Sequence, residues 1–363
     1  MNIIEESNAR LFIKLKSFKK NWHYLNSLSK NKNIGLSVKA NCYGLGLKIM
    51  CKTLVNEGCQ NFFVANSTEA LQLRKILKNV NIYVLNGIKD IMIAKKLIQK
   101  NIFIVINNHQ DLKIVKKCLS TKKEKISCAV HFDTGMNRLG FSEKDIFLIS
   151  RSIEKYLDPK LVISHLSNSE NKTSKFNKFQ LSRFKKIKDI LDKKFKLKYS
   201  LANSNGIFLG KSFHFDLIRT GGLAFGLHLK NKKNNIKNII SLKAKIIQIR
   251  LLEQGSPIGY GSKYITRKKS LIATLAIGYA DGIPRNYKGY FFLKGKKVKI
   301  CGNISMDLTC VDVTGINRIK VNDWVEIFGD NIPVEKFAFL SDTISYDILS
   351  SLGNRIERVY LNS

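Results

Sequence analysis

Long apolar runs are missing from this sequence. None approaches the ~18 residues that a membrane-spanning helix requires, so no membrane partner is expected. No secretory leader is expected either: the opening stretch MNIIEESNAR has neither the basic front nor the apolar centre of one. The seven cysteines, at 42, 51, 59, 118, 128, 301 and 310, form no C-x-x-C pair, and an odd number does not suit a disulfide framework. Reduced thiols and a cytoplasmic location are the resulting expectations. Acidic residues are scarce, 27 against 63 basic ones, leaving a net charge of +36. Such a balance raises the question of a nucleic-acid partner. The lysines, however, are spread along the whole chain, as in KSFKKN, STKKEK, SRFKKIKDILDKKFKLK and NKKNNIKN, and no zinc-finger or RNA-binding signature accompanies them. With Asn, Ile and Phe also abundant, the charge reads as compositional drift and a solvated basic surface, with no specific nucleic-acid site. Internal repeats and low-complexity linkers are also absent, apart from the polar KNKKNNIKN at 230–238.

What remains is the composition of an ordinary globular protein, 44% hydrophobic and 25% charged, whose 363 residues suggest about two domains. Up to residue 236, β-branched runs alternate with longer amphipathic stretches. The runs are IGLSVK (34–39), NFFVAN (61–66), NIYVLN (81–86), IFIVIN (102–107), ISCAVHFD (126–133), LVISHL (161–166), KYSLAN (198–203) and FDLIRT (215–220). Between them, segments such as STEALQLRKILKN and NKFQLSRFKKIKDILDKK space Leu, Ile and Phe at helical intervals. A doubly wound open sheet is one solution, but eight strand–helix units match a closed (β/α)8 barrel. From 237 to 363 the texture changes to alternating strands and glycine turns (IISLKAKIIQIRLL, SLIATLAIGYADG, FFLKGKKVKICGNISM, DLTCVDVTG), which predicts a β-rich second domain.

In a barrel, chemistry gathers at the carboxyl ends of the strands. Those ends carry Lys39, His131 with Asp133, His165, Asn203 with Ser204, and Arg219 followed by Gly221 and Gly222. The last two strand ends of a barrel commonly hold a phosphate. There LANSNG offers the Ser204 hydroxyl, and RTGGLAFG offers backbone N–H groups without a Cβ in the way. A reactive lysine beside a phosphate site suggests a pyridoxal phosphate Schiff base.

Eight motifs, in order and over nearly the whole chain, carry a resemblance. SVKANCYGLG, DTGMNRLGF, NKFQLSRF, LANS, IRTGGLAFGL, AIGYADGIPR, NISMD and RIERVY are similar to those of the alanine racemase family. The resemblance implies a pyridoxal-phosphate-binding barrel, a β-rich second domain and a head-to-tail homodimer acting on alanine. It implies that Lys39 is the Schiff-base lysine and one catalytic base. Tyr43, Ser204 and the backbone at Gly221 and Gly222 would bind the cofactor phosphate. Arg219 would face the pyridine nitrogen; a guanidinium stays protonated and cannot readily give that nitrogen a proton. Tyr260 of the partner subunit would be the second base, and a free phenol with pKa ~10 needs positive charge nearby for that role. His165 would link that tyrosine to Arg219. Arg138 and the backbone N–H of Met306 would grip the substrate carboxylate, with Asp307 helping to order Tyr260.

Four positions depart from the family pattern. His131 stands where many members carry a carbamylated lysine that orients the carboxylate-binding arginine. Asn303 replaces a common arginine, Asn354 an active-site tyrosine of some members, and Ser200 a frequent histidine. These changes bear on substrate preference, leaving open a broader amino-acid racemase that also accepts serine or lysine. Barrel-type pyridoxal decarboxylases pair the ring nitrogen with an acid, which Arg219 disfavours. Single-domain pyridoxal phosphate homeostasis proteins share the barrel and lysine but lack a counterpart of residues 237–363.

Overall fold

The computed structural model describes residues 7–30, 33–119, 124–227 and 235–362. The start of the opening stretch (1–6) and residues 230–234 of the polar linker lie outside the described residues. The chain forms two compact units, one of residues 19–42 and 46–224, the other of residues 1–18, 43–45 and 225–363.

The first unit is a parallel barrel. Its strands are Ile34–Ser37, Asn61–Val64, Asn81–Val84, Ile102–Ile106, Ile126–His131, Leu157–Ile163, Tyr199–Ser200 and Ile218–Thr220. They follow one another in the sheet in chain order, and the last pairs back onto the first through Ile34–Ile218, Gly35–Arg219 and Leu36–Thr220. A bridge between Asn203 and Arg219 joins the seventh strand end to the eighth strand. The expected barrel is therefore observed, and all eight β-branched runs hold a strand. Buried rings and aliphatics, Phe63, Tyr83, Val105, Ala129, Leu161, Ile163 and Leu217, fill a core cluster in this unit. Phe63 stacks on Tyr83 with centroids 4.8 Å apart. Three successive helices begin the same way: Asn66, Asp90 and Asn108 each accept the N–H three residues on, which satisfies donors that a helix start leaves open.

The second unit is built on an eight-stranded sheet. Its order is Ser270–Leu275, Thr309–Asp312, Lys296–Ile300, Tyr290–Leu293, Trp324–Phe328, Ile240–Leu252, Ala9–Lys14 and Glu357–Leu361. The 13-residue strand Ile240–Leu252 organises it. Its first half pairs with Ala9–Lys14 and Trp324–Phe328, and its second half with Ser270–Leu275, on either side of an irregularity between Ile246 and Gln248. The pairing of Ala9–Lys14 with Glu357–Leu361 is parallel. Ala9–Lys14 alternates buried and half-buried residues, the pattern of a strand with one face in a core, and that core belongs to this unit.

The three residues Tyr43–Leu45 are held by this unit's own side chains. Arg358 donates to the Gly44 carbonyl (3.1 Å) and Tyr360 to the Leu45 carbonyl (2.8 Å), while the Tyr43 ring packs on Tyr346 and Phe225. Gly44 has φ +76°, and a Cβ there would lie 2.1 Å from the Leu349 carbonyl oxygen. Gly44→Ala combines a left-handed backbone with a steric overlap, so it should destabilise the protein by on the order of 2–4 kcal/mol. Urea unfolding of the full chain checks this; an unchanged midpoint contradicts the close approach.

Candidate active site

The first barrel strand stops at Ser37, and Lys39 opens a turn of unusual hand. Ala40, Asn41, Cys42 and Tyr43 all have φ between 50° and 58°. Left-handed backbone costs about 1–2 kcal/mol per non-glycine residue, so the turn persists only if its surroundings dictate it. Several bonds do so. Val38 N–H reaches the Phe63 carbonyl (2.8 Å), Asn41 Oδ1 accepts from Leu47 N–H (2.8 Å), and the Asn41 carbonyl accepts from Gly46 N–H (3.0 Å). Glu69, in the helix Ser67–Ile76, accepts from Ala40 N–H at 2.7 Å. Solvent reaches Lys39, yet enough protein surrounds the amine to thin its hydration. That effect, and then the positive charge of Arg138, lower its pKa; Glu69 works in the opposite direction. A lysine so placed is more often neutral than a surface lysine, which a carbonyl-attacking amine requires.

Arg219 is buried within the last strand, and desolvation brings its pKa down to about 10. It remains a cation at neutral pH, and among the described residues no carboxylate is in its hydrogen-bond set. Nη1 donates to the Ser200 carbonyl (2.8 Å) and hydroxyl (2.6 Å), and Nη2 donates to the Ser164 carbonyl and, at 3.4 Å, to His165 Nδ1. Among the described residues Nε carries no hydrogen bond. Because arginine only donates, His165 Nδ1 must accept, which places the proton of the neutral ring on Nε2. Burial and the charges of Arg219 and Arg138 hold the His165 pKa well below the ordinary histidine value.

At the ends of the last two strands, Ser204 Oγ accepts from Gly221 N–H (2.8 Å) and lies 3.3 Å from Thr220 Oγ1. Two hydroxyls thus cluster beside the Gly221–Gly222 backbone. Asn203 serves the scaffold, its amide bonded to the Leu166 carbonyl (3.3 Å) and the Gly206 N–H (3.0 Å).

The Arg138 loop is organised by Asp133, whose two oxygens accept from the N–H groups of Gly135, Met136 and Asn137 at 2.8–2.9 Å. Buried Gln180 braces it from the helix Lys175–Leu191, donating to Thr134 Oγ1 (3.3 Å) and the His165 carbonyl (2.9 Å). His131 Nδ1 meets Asn107 Oδ1 at 2.8 Å. The Asn107 amide nitrogen is used by the Leu85 and Val105 carbonyls, so its oxygen faces the imidazole and Nδ1 carries the proton. Burial, with the charge of Arg219, pushes the His131 pKa down to about 3. Its Nε2 is therefore a lone-pair acceptor.

In the C-terminal unit, Tyr260 is 72% exposed and Met306 53%. Asn303 donates to the Tyr260 carbonyl (3.3 Å). Asp307 pairs with Arg355 (2.7 Å), which also holds Asp281 (3.0 Å); no hydrogen bond joins Asp307 to Tyr260 among the described residues. The GYADG loop, 278–282, lies against Ser305 and Met306 through two backbone hydrogen bonds of 3.0 and 2.9 Å, and a Cβ on Gly278 would stand 2.3 Å from the Met306 carbonyl oxygen.

Two family models match the chain: "Alanine racemase, N-terminal domain" over residues 13–229 and "Alanine racemase, C-terminal domain" over 239–360. The chain belongs to the alanine racemase family. An alanine racemase of Rickettsia bellii is 43% identical over 343 residues, covering 92% of this chain and 83% of that protein. One of Rickettsia africae is 40% identical over 96% of this chain and 98% of its own. A crystal structure of the Bartonella henselae alanine racemase, with covalently bound pyridoxal phosphate, is 35% identical and superposes with a TM-score of 0.91 over 98% of this chain and 99% of that one.

For an alanine racemase, a pyridoxal-phosphate-dependent family, the donor set is chemically suitable. A lysine with depressed basicity, a buried guanidinium whose Nε is not hydrogen-bonded, and a hydroxyl cluster at a glycine pair are present in the barrel unit. Sequence reasoning missed Glu69, Asn107, Gln180 and Arg355. Glu69 and Gln180 sit inside stretches that read as amphipathic helices, and nothing in their spacing separates them from solvent-facing polar residues. Ser200, a departure from the family pattern, accepts two hydrogen bonds from Arg219.

Three histidines are held neutral here: His131, His165, and His214, whose Nε2 contacts the Ile207 carbonyl at 2.9 Å and whose pKa burial lowers. Below the ordinary histidine value near 6.5 the unfolded chain gains protons that the folded chain refuses. Their contribution is thus fully present above that pH and is lost as pH falls toward the folded values. Urea midpoints of the cofactor-free protein should drop between about pH 7.5 and pH 5, and His131→Asn should flatten the drop. A level wild-type profile contradicts the neutral assignment.

Proposed function

We propose that this chain interconverts L- and D-alanine in the cytoplasm, supplying D-alanine for peptidoglycan, by a two-base mechanism. The observation that carries this reading is Arg219, a buried cation bonded only to neutral acceptors on its Nη atoms. Such a group would face the cofactor's ring nitrogen without surrendering a proton to it, which suits a racemase better than an enzyme needing the strongest electron sink. Lys39 binds the cofactor, with Tyr43, His165, Asn203, Ser204, Gly221 and Gly222 completing its setting. Pyridoxal phosphate, when bound, supplies the electron sink that acidifies the α-carbon of alanine. Arg138, Met306 and Asp307 handle the substrate carboxylate and its surroundings. Residues 1–236 contain the cofactor-binding barrel, apart from the strand Ala9–Lys14, which joins the C-terminal sheet, and 237–363 complete the site of a second copy.

Racemisation requires a proton to leave one face of the α-carbon and another to arrive on the opposite face. The Lys39 amine serves one face and the phenol oxygen of Tyr260 of the partner subunit the other. The exposure of Tyr260, Met306 and Leu308 (39%) supports a face that a partner covers in a head-to-tail homodimer. The His165 tautomer supports the same arrangement, because its Nε2–H is a donor for a phenolate. A second reading, a racemase that also accepts serine or lysine, draws on His131, Asn303 and Asn354. The match of residues 239–360 to the family's C-terminal domain weighs against a pyridoxal phosphate homeostasis protein.

Incubation with pyridoxal phosphate and L-alanine in D2O should yield D-alanine carrying α-deuterium. No D-alanine from a cofactor-loaded protein refutes the substrate assignment, and equal efficiency with serine or lysine favours the broader reading. Lys39→Ala and Tyr260→Phe should each lose nearly all activity. Mixed and re-associated, they should recover up to about one quarter of wild-type activity, since random pairing makes half the dimers hybrids with one intact site each. No recovery, with hybrids demonstrably formed, contradicts a site shared between subunits.

A further inference from the structure

A carboxylate outside the expected set governs the backbone that carries Lys39. Glu69 Oε1 accepts from Ala40 N–H at 2.7 Å and Oε2 accepts from Ala65 N–H at 2.7 Å. One side chain thereby ties the loop after the first barrel strand to the loop after the second. Its own position is fixed, because its backbone N–H is capped by Asn66 Oδ1 at 3.0 Å in the first turn of a helix. The bond to Ala40 falls on the first of the consecutive left-handed residues, directly after Lys39. A second carboxylate repeats the device further round the barrel: Asp111 accepts from Ile88 N–H (3.1 Å) and Asn107 N–H (2.9 Å), and Asn107 in turn orients His131. Where the repeat occurs, the clamped backbone again carries or orients a polar group of the site.

We propose that Glu69 is a positioning residue for Lys39: it clamps the left-handed turn through Ala40 and supplies the negative charge that partly offsets the site's arginines. The proposal rests on the reading of Lys39 as the cofactor-binding amine. The charged and titratable groups facing that amine are Arg138 from the loop after the fifth strand, His165 at the end of the sixth strand, and Glu69 itself. Of these, Arg138 makes protonation of the amine harder and Glu69 makes it easier. Glu69→Gln keeps the length of the side chain but removes the charge, and its amide nitrogen confronts one of the two N–H groups that the carboxylate accepted. Glu69→Asp keeps the charge and shortens the reach.

The test uses full-length protein freed of cofactor and re-exposed to pyridoxal phosphate across a pH range. Borohydride reduction then traps the lysine adduct, and peptide mapping locates it. In wild type the adduct should form at Lys39; an adduct elsewhere overturns the reading of that lysine, and the clamp with it. In Glu69→Gln the adduct should still form at Lys39, with its rate profile shifted to lower pH and its plateau reduced by about tenfold as the turn loosens. In Glu69→Asp the plateau should fall while the profile keeps its wild-type midpoint. A Glu69→Gln profile at the wild-type midpoint, with trapping still at Lys39, overturns the positioning role and leaves Lys39 standing. Should Glu69→Gln not fold, an undiminished plateau in Glu69→Asp overturns it instead.

Discussion

A permanent positive charge buried among neutral groups sets the terms for this barrel. Among the described residues Arg219 has no acidic hydrogen-bond partner and is held by two carbonyls, a hydroxyl and an imidazole nitrogen. Its field, together with that of Arg138, contributes to lowering the pKa values of His131 and His165, on top of their burial; Arg138 acts likewise on Lys39. Bases near such a centre are kept unprotonated, and anions are welcomed. A phosphate and an amino-acid carboxylate are the anions that a pyridoxal-phosphate-dependent alanine racemase takes up, so one charge can serve more than one task. The cost is desolvation of the guanidinium, which the carbonyls of Ser164 and Ser200 only partly offset.

Much of this was legible in the sequence, and the limits have physical causes. Eight strands of the barrel announced themselves because strands buried on both faces read as continuous β-branched runs. Ala9–Lys14, Trp324–Phe328 and Glu357–Leu361 did not, because a charged residue, Arg10, Glu326 and Arg358 respectively, interrupts the apolar run of each. Lys39, Arg219 and Ser204 were placed by strand-end logic. The hand of the turn after Lys39 was not foreseeable, since positive φ is normally marked by glycine and Ala40, Asn41 and Cys42 are not glycine. What compels it comes partly from Glu69, 29 residues further on. Long-range constraint of this kind leaves no local signal. Ser200 illustrates the converse: a change that looked like a loss keeps both a carbonyl and a hydroxyl on Arg219.

The replacement of expected polar groups has a common direction. His131 is held as a neutral acceptor by Asn107, and Ser200 substitutes a hydroxyl for a titratable ring. Asn303 braces the Tyr260 carbonyl without carrying charge. Ser200 and Asn303 carry no titratable side chain, and the imidazole of His131 is kept neutral. The basic character of the chain is thus expressed in its many lysines and is not extended at these positions.

The clamp on residues 43–45 has a bearing on how the protein is made. Arg358 and Tyr360 grip the carbonyls of Gly44 and Leu45 from positions more than 300 residues later. A ribosome delivers Lys39 and the barrel strands long before it delivers these side chains. During synthesis the segment just after the lysine must wait, without its final hydrogen bonds, until the end of the C-terminal sheet emerges. Closure of this three-residue clamp thus depends on side chains far along the chain, and a chain cut short before Arg358 would leave the carbonyls of Gly44 and Leu45 without these donors.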